Sequence, residues 1–508
     1  MYNIILKSFI PEIFLSLSLL FQLVFNIRLI KKTSLNYPII SHETYIQTLF
    51  ILICLAFLYS NTKIVGYLPQ LTFVNDTSIL LVKFILTVLA VLVVIIIKDA
   101  IKIEKINFTE YYTIFLLGIL SLLIMISSQS LLSFYLAMEM QALSFYILAA
   151  MNRNSFFSVE SGMKYFLSGA FMSGFYLLGA SMIYGYLGTL ELNHISTLLF
   201  WDLSEHGKFI HFGLIIDFLL IISSILFKLA CAPFHNWAPD VYDGAPLSSA
   251  SVFSILPKIP LFYFFIKFLL ASNTYFDFLS TILLVFGLFS AFIGTFYAFK
   301  QTRVKRLFIY SSIAQTGFLV SALSVQSLES ISNIYFFLLI YLIGSLVIWG
   351  HLISLNFSNI IVSNFFGYLS KPLYITDFSN MFKTNKILAF SFLIVLFSVA
   401  GIPPLTGFLS KMQLILVLVG SVNLFFPISL IIISAISVYY YLRFIKIAFF
   451  ESKDFDKTIS AQVVFGNSEQ ELRNLVFSLL LFLLILLFFF PTQILAICQY
   501  ITININLV

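Results

Sequence analysis

Charged residues are scarce in this chain. Only 10% of its 508 residues are Asp, Glu, Lys or Arg, and 60% are hydrophobic, whereas average soluble domains are about 25% charged. The longest polar stretches, around 360–386 and 451–474, are predicted to be connectors. This composition excludes a soluble globular protein and indicates an all-α membrane protein with many transmembrane helices.

Cysteine is also rare, and motifs for redox cofactors are missing. Cys54, Cys231 and Cys498 each lie in an apolar run without CxxC or CxxxH spacing, so they are predicted to be buried small side chains. The sequence has no G-x-G-x-x-G after a strand, no cysteine ladder and no histidine pair spaced for haem. No cleavable signal or transit peptide precedes the first span, and we expect insertion of the chain as synthesised.

The few basic residues cluster at predicted helix ends. Arg28, Lys31 and Lys32 form one cluster, and 303–306 contains another, as the positive-inside rule requires of orientation anchors. No basic face is larger than one helix end, so the net charge of +6 does not indicate nucleic-acid binding.

The apolar runs predict about 14 transmembrane helices, at roughly 20 residues per span. The candidate spans lie near 10–30, 44–60, 78–97, 111–128, 130–150, 162–188, 210–232, 247–270, 279–299, 304–323, 331–355, 387–420, 425–450 and 473–495. The stretch 387–420 is too long for one straight span, so a break or a second crossing is required there.

Two groups of spans share a design. Each contains a proline-interrupted segment with a nearby lysine, FKLACAPFHNWAP in one and GIPPLTGFLSKMQ in the other. Paired interrupted segments in corresponding places favour an inverted-repeat transporter fold. The predicted division is an N-terminal three-helix segment, two helical repeats, and a connector with a last helix: 1–108, 109–270, 271–450 and 451–508. The first segment is predicted to carry little buried chemistry. Its Lys83 can snorkel towards the membrane surface or pair with another side chain, and snorkelling is the favoured interpretation.

Three lysines inside apolar runs are the main candidates for function. Lys228, Lys258 and Lys411 each lie within a few residues of a proline, and Pro257 and Pro260 flank Lys258. A lysine at mid-bilayer costs about 2.5–3.5 kcal/mol on the insertion scale. A proline also leaves a backbone carbonyl of its helix without a partner. Together they indicate a path for a small cation, most simply a proton.

Glu139 is the one ionisable side chain in a run of about 20 residues. A lone carboxylate there must be neutralised or paired. One interpretation is a structural ion pair that fixes helix packing. The other is a carboxylate that tunes a nearby lysine, because a neighbouring carboxylate favours the charged lysine whereas burial favours the neutral one.

The remaining ionisable side chains are less informative. Lys164 is interpreted either as part of the path or as an interfacial lysine, and His235 either as a relay or as a histidine at the water interface. His351 is predicted to be either a buried histidine with satisfied hydrogen bonds or a histidine at a helix end. Asp217 and Lys267 lie near span ends and are predicted to be interfacial.

Four segments carry a resemblance to a known family: FKLACAPFHNWAPDVYDGAPLSSA, SGMKYFLSGAF, VKRLFIYSSIAQTGF and GIPPLTGFLSKMQ. They resemble the proton-translocating, antiporter-like subunits of respiratory complex I (NADH:ubiquinone oxidoreductase). The resemblance extends from about residue 110 to 450. It implies two inverted five-helix repeats in which the seventh and twelfth helices are broken.

The resemblance also implies roles for individual residues. Glu139 and Lys228 match the family's ion pair that controls protonation, and Lys258 matches its central lysine. Lys411 matches the lysine of the broken twelfth helix. Gln315 stands where relatives commonly have histidine, so a relay through that position would need water. Lys164 also falls on a lysine of the family.

The resemblance implies that the chain is one subunit of a proton-translocating enzyme complex and binds no cofactor itself. NADH, FMN, iron–sulfur clusters and quinone would bind to other subunits, and the partners would be other membrane-arm subunits and lipid. A composition typical of AT-rich coding, together with the resemblance, points to the mitochondrial inner membrane. A bacterial plasma membrane and a plastid thylakoid remain alternatives. A Na⁺/H⁺ antiporter-type transporter and a purely structural subunit are the competing functions.

Overall fold

The structure is a computed structural model. It describes residues 8–32, 40–60, 66–67, 72–104, 106, 110–202, 208–354, 374–379, 381–451 and 468–506. Within these ranges the helices are α1 Ile10–Lys32, α2 Ile40–Ser60, α3 Thr77–Ile103, α4 Glu110–Ser127, α5 Leu131–Ala149, α6 Phe156–Leu187, α7 Leu192–Asp202, α8 Lys208–Lys228, α9 Trp237–Gly244, α10 Leu247–Ile255, α11 Lys258–Ala271, α12 Phe276–Lys300, α13 Val304–Leu323, α14 Leu328–Ser354, α15 Met381–Thr384, α16 Lys386–Ala400, α17 Thr406–Ser421, α18 Phe425–Phe449, α19 Ser468–Phe489 and α20 Thr492–Asn506. The strands β1 (Gly66–Tyr67) and β2 (Val74–Asn75) form one antiparallel pair, and 3₁₀ turns cover Asn273–Tyr275 and Ile375–Phe378.

The predicted fold class is confirmed. In the described ranges, eight helices are long and apolar enough to cross a membrane, or nine if α19 and α20, which meet at 87°, form one bent span. Shorter apolar helices accompany them, so the predicted total of about 14 is not confirmed. The break required within 387–420 is present, between α16 and α17. Most of the two predicted connectors lies outside the described residues.

The chain forms two compact units. The first comprises Met1–Trp237, Gly244–Leu283 and Gln499–Val508. At its centre, α10 and α11 make one interrupted span, Leu247–Ala271, that is buried along its whole length against α3, α4, α5 and α8. Helices that face lipid expose apolar side chains, whereas this span is enclosed by protein. It therefore has an environment in which ionisable side chains can be retained.

The second unit comprises Ala238–Asp243 and Leu284–Cys498. Its central helix is α14, which packs against α13, α16 and α17. Arg303, Lys305 and Arg306, predicted to be an orientation anchor, lie at the start of α13. Asp243 accepts hydrogen bonds from both guanidinium groups, at 2.6 Å and 2.9 Å. The Asp243 carboxylate raises the pKa of Arg303, so this cluster keeps its charge and suits an anchor better than a proton relay.

Helix α8 in the first unit and helix α16 in the second unit end in the same way. After α8, the N–H of Ala230 bonds to the carbonyl of Phe227 and the N–H of Cys231 to that of Leu226, both at 2.9 Å. These two bonds define a Schellman motif, in which the residue after the cap takes a left-handed conformation. Ala230 does so with φ of 57°, although it is not glycine.

The second example follows α16. The N–H of Gly401 bonds to the carbonyl of Ser398, and the N–H of Ile402 to that of Phe397, both at 3.1 Å. Gly401 has φ of 86°. The peptide bonds before Pro233 and Pro404 are cis. Each unit thus contains a helix stopped by one defined motif, at the two segments that the sequence marks as interrupted.

Several predictions about buried polar residues were right. All three cysteines are free and buried. His351 is buried, and its ring nitrogens lie 2.7 Å from the Val347 carbonyl and 2.7 Å from the Ser391 hydroxyl. It is therefore a satisfied structural histidine.

Three predictions about exposure were wrong. Lys83 does not snorkel, as the favoured interpretation had it; it is fully buried and forms an ion pair with Glu12, which was the alternative. The N-terminal segment therefore does carry buried chemistry. Asp217 and Lys267, predicted to be interfacial, are also buried. The three errors have the same cause. The distance of a residue from a span end indicates how deep its side chain lies in the membrane, but it does not indicate whether another helix covers that side chain.

Candidate functional site

Lys228 is the last residue of α8 and is buried. Among the described residues its Nζ has no hydrogen-bond partner, and it lies 5.7 Å from the centre of the Tyr146 ring. Glu139 is its electrostatic partner. A buried ammonium without an acceptor is unfavourable, so the charge of Lys228 depends on this carboxylate.

Glu139 and Tyr146 lie on the same face of α5, because seven residues are about two helical turns. One carboxylate oxygen of Glu139 and the hydroxyl of Tyr146 are buried without a hydrogen-bond partner among the described residues. The carboxylate acts electrostatically on Tyr146 as well as on Lys228. The structure therefore brings Glu139, Tyr146 and Lys228 into one polar group, in which no direct hydrogen bond yet joins the two charges.

Aromatic residues hold this group in place. The ring of Tyr146 packs edge-on against Tyr165, with centroids 4.7 Å apart, and Tyr165 stacks on Trp237 at 4.8 Å. The indole N–H of Trp237 donates to the carbonyl of Phe227, the residue before Lys228, at 3.0 Å. The end of α8 is thus tied to Tyr146 through two aromatic rings.

His235 lies in the turn between α8 and α9. It is buried next to the Pro233 carbonyl, and in the described part of the chain its Nδ1 has no partner. Since α8 ends at Lys228, the two residues do not share a continuous helical face. A role for His235 as a relay stays a prediction.

Lys258 begins α11, directly after the interruption at Leu256 and Pro257. It is buried, and Cys231, three residues beyond Lys228, is its electrostatic neighbour. The break after α8 therefore lies close to both lysines within the first unit.

Lys411 lies on α17 in the second unit, and its environment is well defined. Its Nζ donates to the carbonyl of Ala400, the last residue of α16, at 2.8 Å. A Cβ at Gly401 would lie 2.9 Å from Cδ of Lys411. Glycine at position 401 thus provides both the left-handed turn and the space that the lysine fills.

A small cavity adjoins Lys411. Its volume is about 20 Å³, and its lining includes Gln315, Tyr341 and Ser410. One water needs about 10–15 Å³ of such space and two or more polar partners. The amide nitrogen of Gln315 donates to Val399 at 3.2 Å, and its oxygen has no partner among the described residues. The cavity is therefore suited to a water between Gln315 and Lys411.

Lys164 is placed differently. Its side chain is 47% exposed and forms an ion pair with Glu160 at 2.8 Å. These contacts do not join it to the Glu139 and Lys228 group, and its part in a path stays a prediction.

Sequence reasoning missed Glu104 and Tyr146. Glu104 accepts hydrogen bonds from the backbone N–H of Leu247, at 2.6 Å, and from the hydroxyl of Ser248, also at 2.6 Å. It therefore caps the start of the span that carries Lys258. Its partners lie more than 140 residues away, and no local pattern marks it. Tyr146 could have been found from its spacing to Glu139.

The position of Tyr146 gives a prediction. Gly169 faces the Tyr146 hydroxyl so closely that a Cβ would overlap it. We expect Gly169→Ala to displace the ring and to lower coupled ion transport by about tenfold, since misplacement of about 1 Å can cost up to 100-fold. Gly174→Ala is the matched control, because nothing lies within 4 Å of that position on the same helix. Equal transport in both variants would contradict the role of Tyr146.

Buried lysines next to helix breaks, in a polytopic helical protein, define a membrane ion-transport protein. The comparisons agree with this class. The family described as "NADH:quinone oxidoreductase/Mrp antiporter, TM" matches residues 128–439. The chain belongs to this family of transmembrane proteins.

Relatives match it over nearly their whole length. NADH-quinone oxidoreductase subunit N of Pelagibacter ubique is 34% identical, with 98% of this chain and 99% of that protein covered. NADH-ubiquinone oxidoreductase chain 2 of Marchantia polymorpha is 31% identical, with 95% of each covered. A chain of respiratory complex I from Thermus thermophilus has a similar fold, with a TM-score of 0.72, 22% identity, and 94% of this chain and 98% of that chain covered.

Proposed function

We propose that this chain is the proton-translocating membrane-arm subunit, chain 2 or subunit N, of an NADH:quinone oxidoreductase. The observation that carries the proposal is the group of buried lysines at helix breaks in a chain that matches such subunits from end to end. The complex would oxidise NADH and reduce quinone elsewhere, and this chain would move protons in response.

The proposed proton path uses buried side chains of both units. A change in the interaction of Glu139 with Lys228 releases or captures a proton at Lys228. The proton passes through water to Lys258 and Lys411. The unsatisfied Nζ of Lys228 and the cavity beside Lys411 support these steps. Lys164 and His235 are secondary candidates.

Three further expectations belong to this proposal. The chain holds no redox centre, and NADH, FMN, iron–sulfur clusters and quinone bind to other subunits. The two repeats correspond to residues 109–270 and 271–450, between the N-terminal segment 1–108 and the C-terminal part 451–508. The membrane is the mitochondrial inner membrane or, alternatively, a bacterial plasma membrane or a plastid thylakoid.

The test uses the whole purified complex in sealed liposomes. After NADH and a soluble quinone are added, a pH-sensitive dye should report a gradient that a protonophore abolishes and that does not depend on Na⁺. The family's name also includes Mrp antiporters, so the competing outcome is Na⁺/H⁺ exchange without NADH. Turnover of NADH without any ion movement would favour a purely structural subunit.

A further inference from the structure

A second group of buried charges lies in the first unit, apart from Glu139, Lys228 and Lys258. Lys83 donates hydrogen bonds to Glu12 and to the side-chain oxygen of Asn75. Asn75 in turn donates to the carbonyl of Ser8 at 2.9 Å. Lys267 completes the group, because both Asp76 and Lys83 act on it electrostatically. We call Glu12, Asp76, Lys83 and Lys267 the N-terminal charge cluster.

The charges of the N-terminal charge cluster sum to zero, but the ammonium group of Lys267 lacks a hydrogen-bond acceptor among the described residues. With all four side chains ionised, two positive and two negative charges cancel. Glu12 and Lys83 form a contact ion pair, whereas Nζ of Lys267 has no hydrogen-bond acceptor among the described residues although the side chain is only 8% exposed. It lies 4.7 Å from the centre of the Tyr263 ring. The face of an aromatic ring attracts an ammonium group, but it is a poor hydrogen-bond acceptor for the ammonium N–H groups.

Whether Lys267 is charged depends on the balance of three effects on its ammonium group. Asp76 attracts the ammonium and Lys83 repels it, while burial removes its water. Hydroxyl groups adjoin the cluster, because Tyr263 lies next to Ser78 and Asp76. A further titratable neighbour is Cys54, beside Glu12 and Lys83. Acidic, basic and hydroxyl groups in one buried site are the components of a proton-exchange site.

The cluster lies near helix ends. Glu12 is in the first turn of α1, Lys83 is about two turns into α3, and Lys267 is four residues before the end of α11. Lys258 and Lys267 are nine residues apart on α11, which is two and a half turns, so they lie on opposite faces of that helix. The cluster is therefore a separate site and does not simply extend the path through Lys258.

We propose that the N-terminal charge cluster is a second proton-exchange site of this subunit, in which Lys267 gains and loses the proton. The proposal rests on the proposed function. In the step itself, a proton moves from the Lys267 ammonium to water, leaving a neutral amine, and returns from water on the same side. With Glu12, Asp76 and Lys83 ionised, the net charge of the site is zero when Lys267 is protonated and −1 when Lys267 is neutral.

The test is the double variant Asp76→Asn/Lys267→Met in the complete complex. It removes one charge of each sign and nearly conserves volume, so a merely structural pair would tolerate it. We expect an assembled complex whose rate of NADH-driven proton translocation falls about tenfold. The matched control is Glu451→Gln/Lys446→Met, which removes an exposed ion pair with a distance of 3.6 Å.

A second measurement keeps the test decisive if the double variant assembles poorly. Infrared difference spectra of the wild-type complex between two pH values should show protonation changes that Lys267→Arg shifts and the control pair does not. Wild-type translocation in an assembled Asp76→Asn/Lys267→Met complex, or unshifted spectra in Lys267→Arg, would overturn the proposal. Absence of translocation in the wild type would instead refute the proposed function itself.

Discussion

Replacing Lys411 with methionine is expected to lower NADH-driven proton translocation by about 100-fold, the scale of a lost proton-transfer group. The complex should still assemble, because methionine keeps most of the chain that packs against Gly401 and introduces no buried charge. The ammonium group loses its hydrogen bond to the Ala400 carbonyl, which costs about 1–3 kcal/mol if that carbonyl stays unsatisfied. It also loses its position over the Phe318 ring, whose centre lies 5.7 Å from Nζ.

Measurement of dye-reported proton uptake, beside complex yield on native gels, checks this result. Lys446→Met is the control, since that lysine is 70% exposed. Proton uptake by the Lys411→Met complex at the wild-type rate would remove Lys411 from the path. A loss of complex in proportion to the loss of uptake would favour a structural role.

The substitution Gly407→Ala is expected to destabilise the second unit strongly. A Cβ at this position would overlap the carbonyl oxygen of Ser398, which is backbone and cannot rotate away. Helices α16 and α17 would have to separate, and overpacking of this kind costs about 1–3 kcal/mol or more. The same shift would move Lys411, four residues further along α17, away from Ala400.

Gly420→Ala is the matched control on the same helix, because nothing lies within 4 Å of its Cβ position. Alanine there should be neutral or should stabilise the helix by about 0.5–1 kcal/mol. Thermal inactivation of the purified complex compares the two variants. An equal inactivation temperature for both would show that the close packing at Gly407 is not required.

The interrupted helices could be predicted from sequence because proline and glycine mark them. Gly401 directly follows the last residue of α16, and the prolines near Lys228 and Lys258 mark the other breaks. The end of α8 at Lys228 had no such signal, since Ala230 takes the left-handed conformation that usually requires glycine. Proline showed that a break was near, but not the residue at which it falls.

Contacts between distant segments could not be predicted. Lys83 pairs with Glu12, which lies 71 residues away in the sequence. The residues next to Lys83 therefore show the pattern of a snorkelling lysine and give no sign of its partner. The contact between Gly169 and Tyr146 could not be predicted either, because the two residues lie on different helices. Buried charges could be identified from a single span, whereas their partners depend on how the spans pack.

The most direct test of the central claim is Lys228→Met in the intact complex. NADH:quinone turnover and proton translocation should be measured on the same preparation, beside wild type and Lys446→Met. We predict that the complex assembles and that translocation, or the turnover coupled to it, falls about 100-fold. Normal coupled translocation in the assembled Lys228→Met complex would contradict the claim and leave Lys228 as a structural charge.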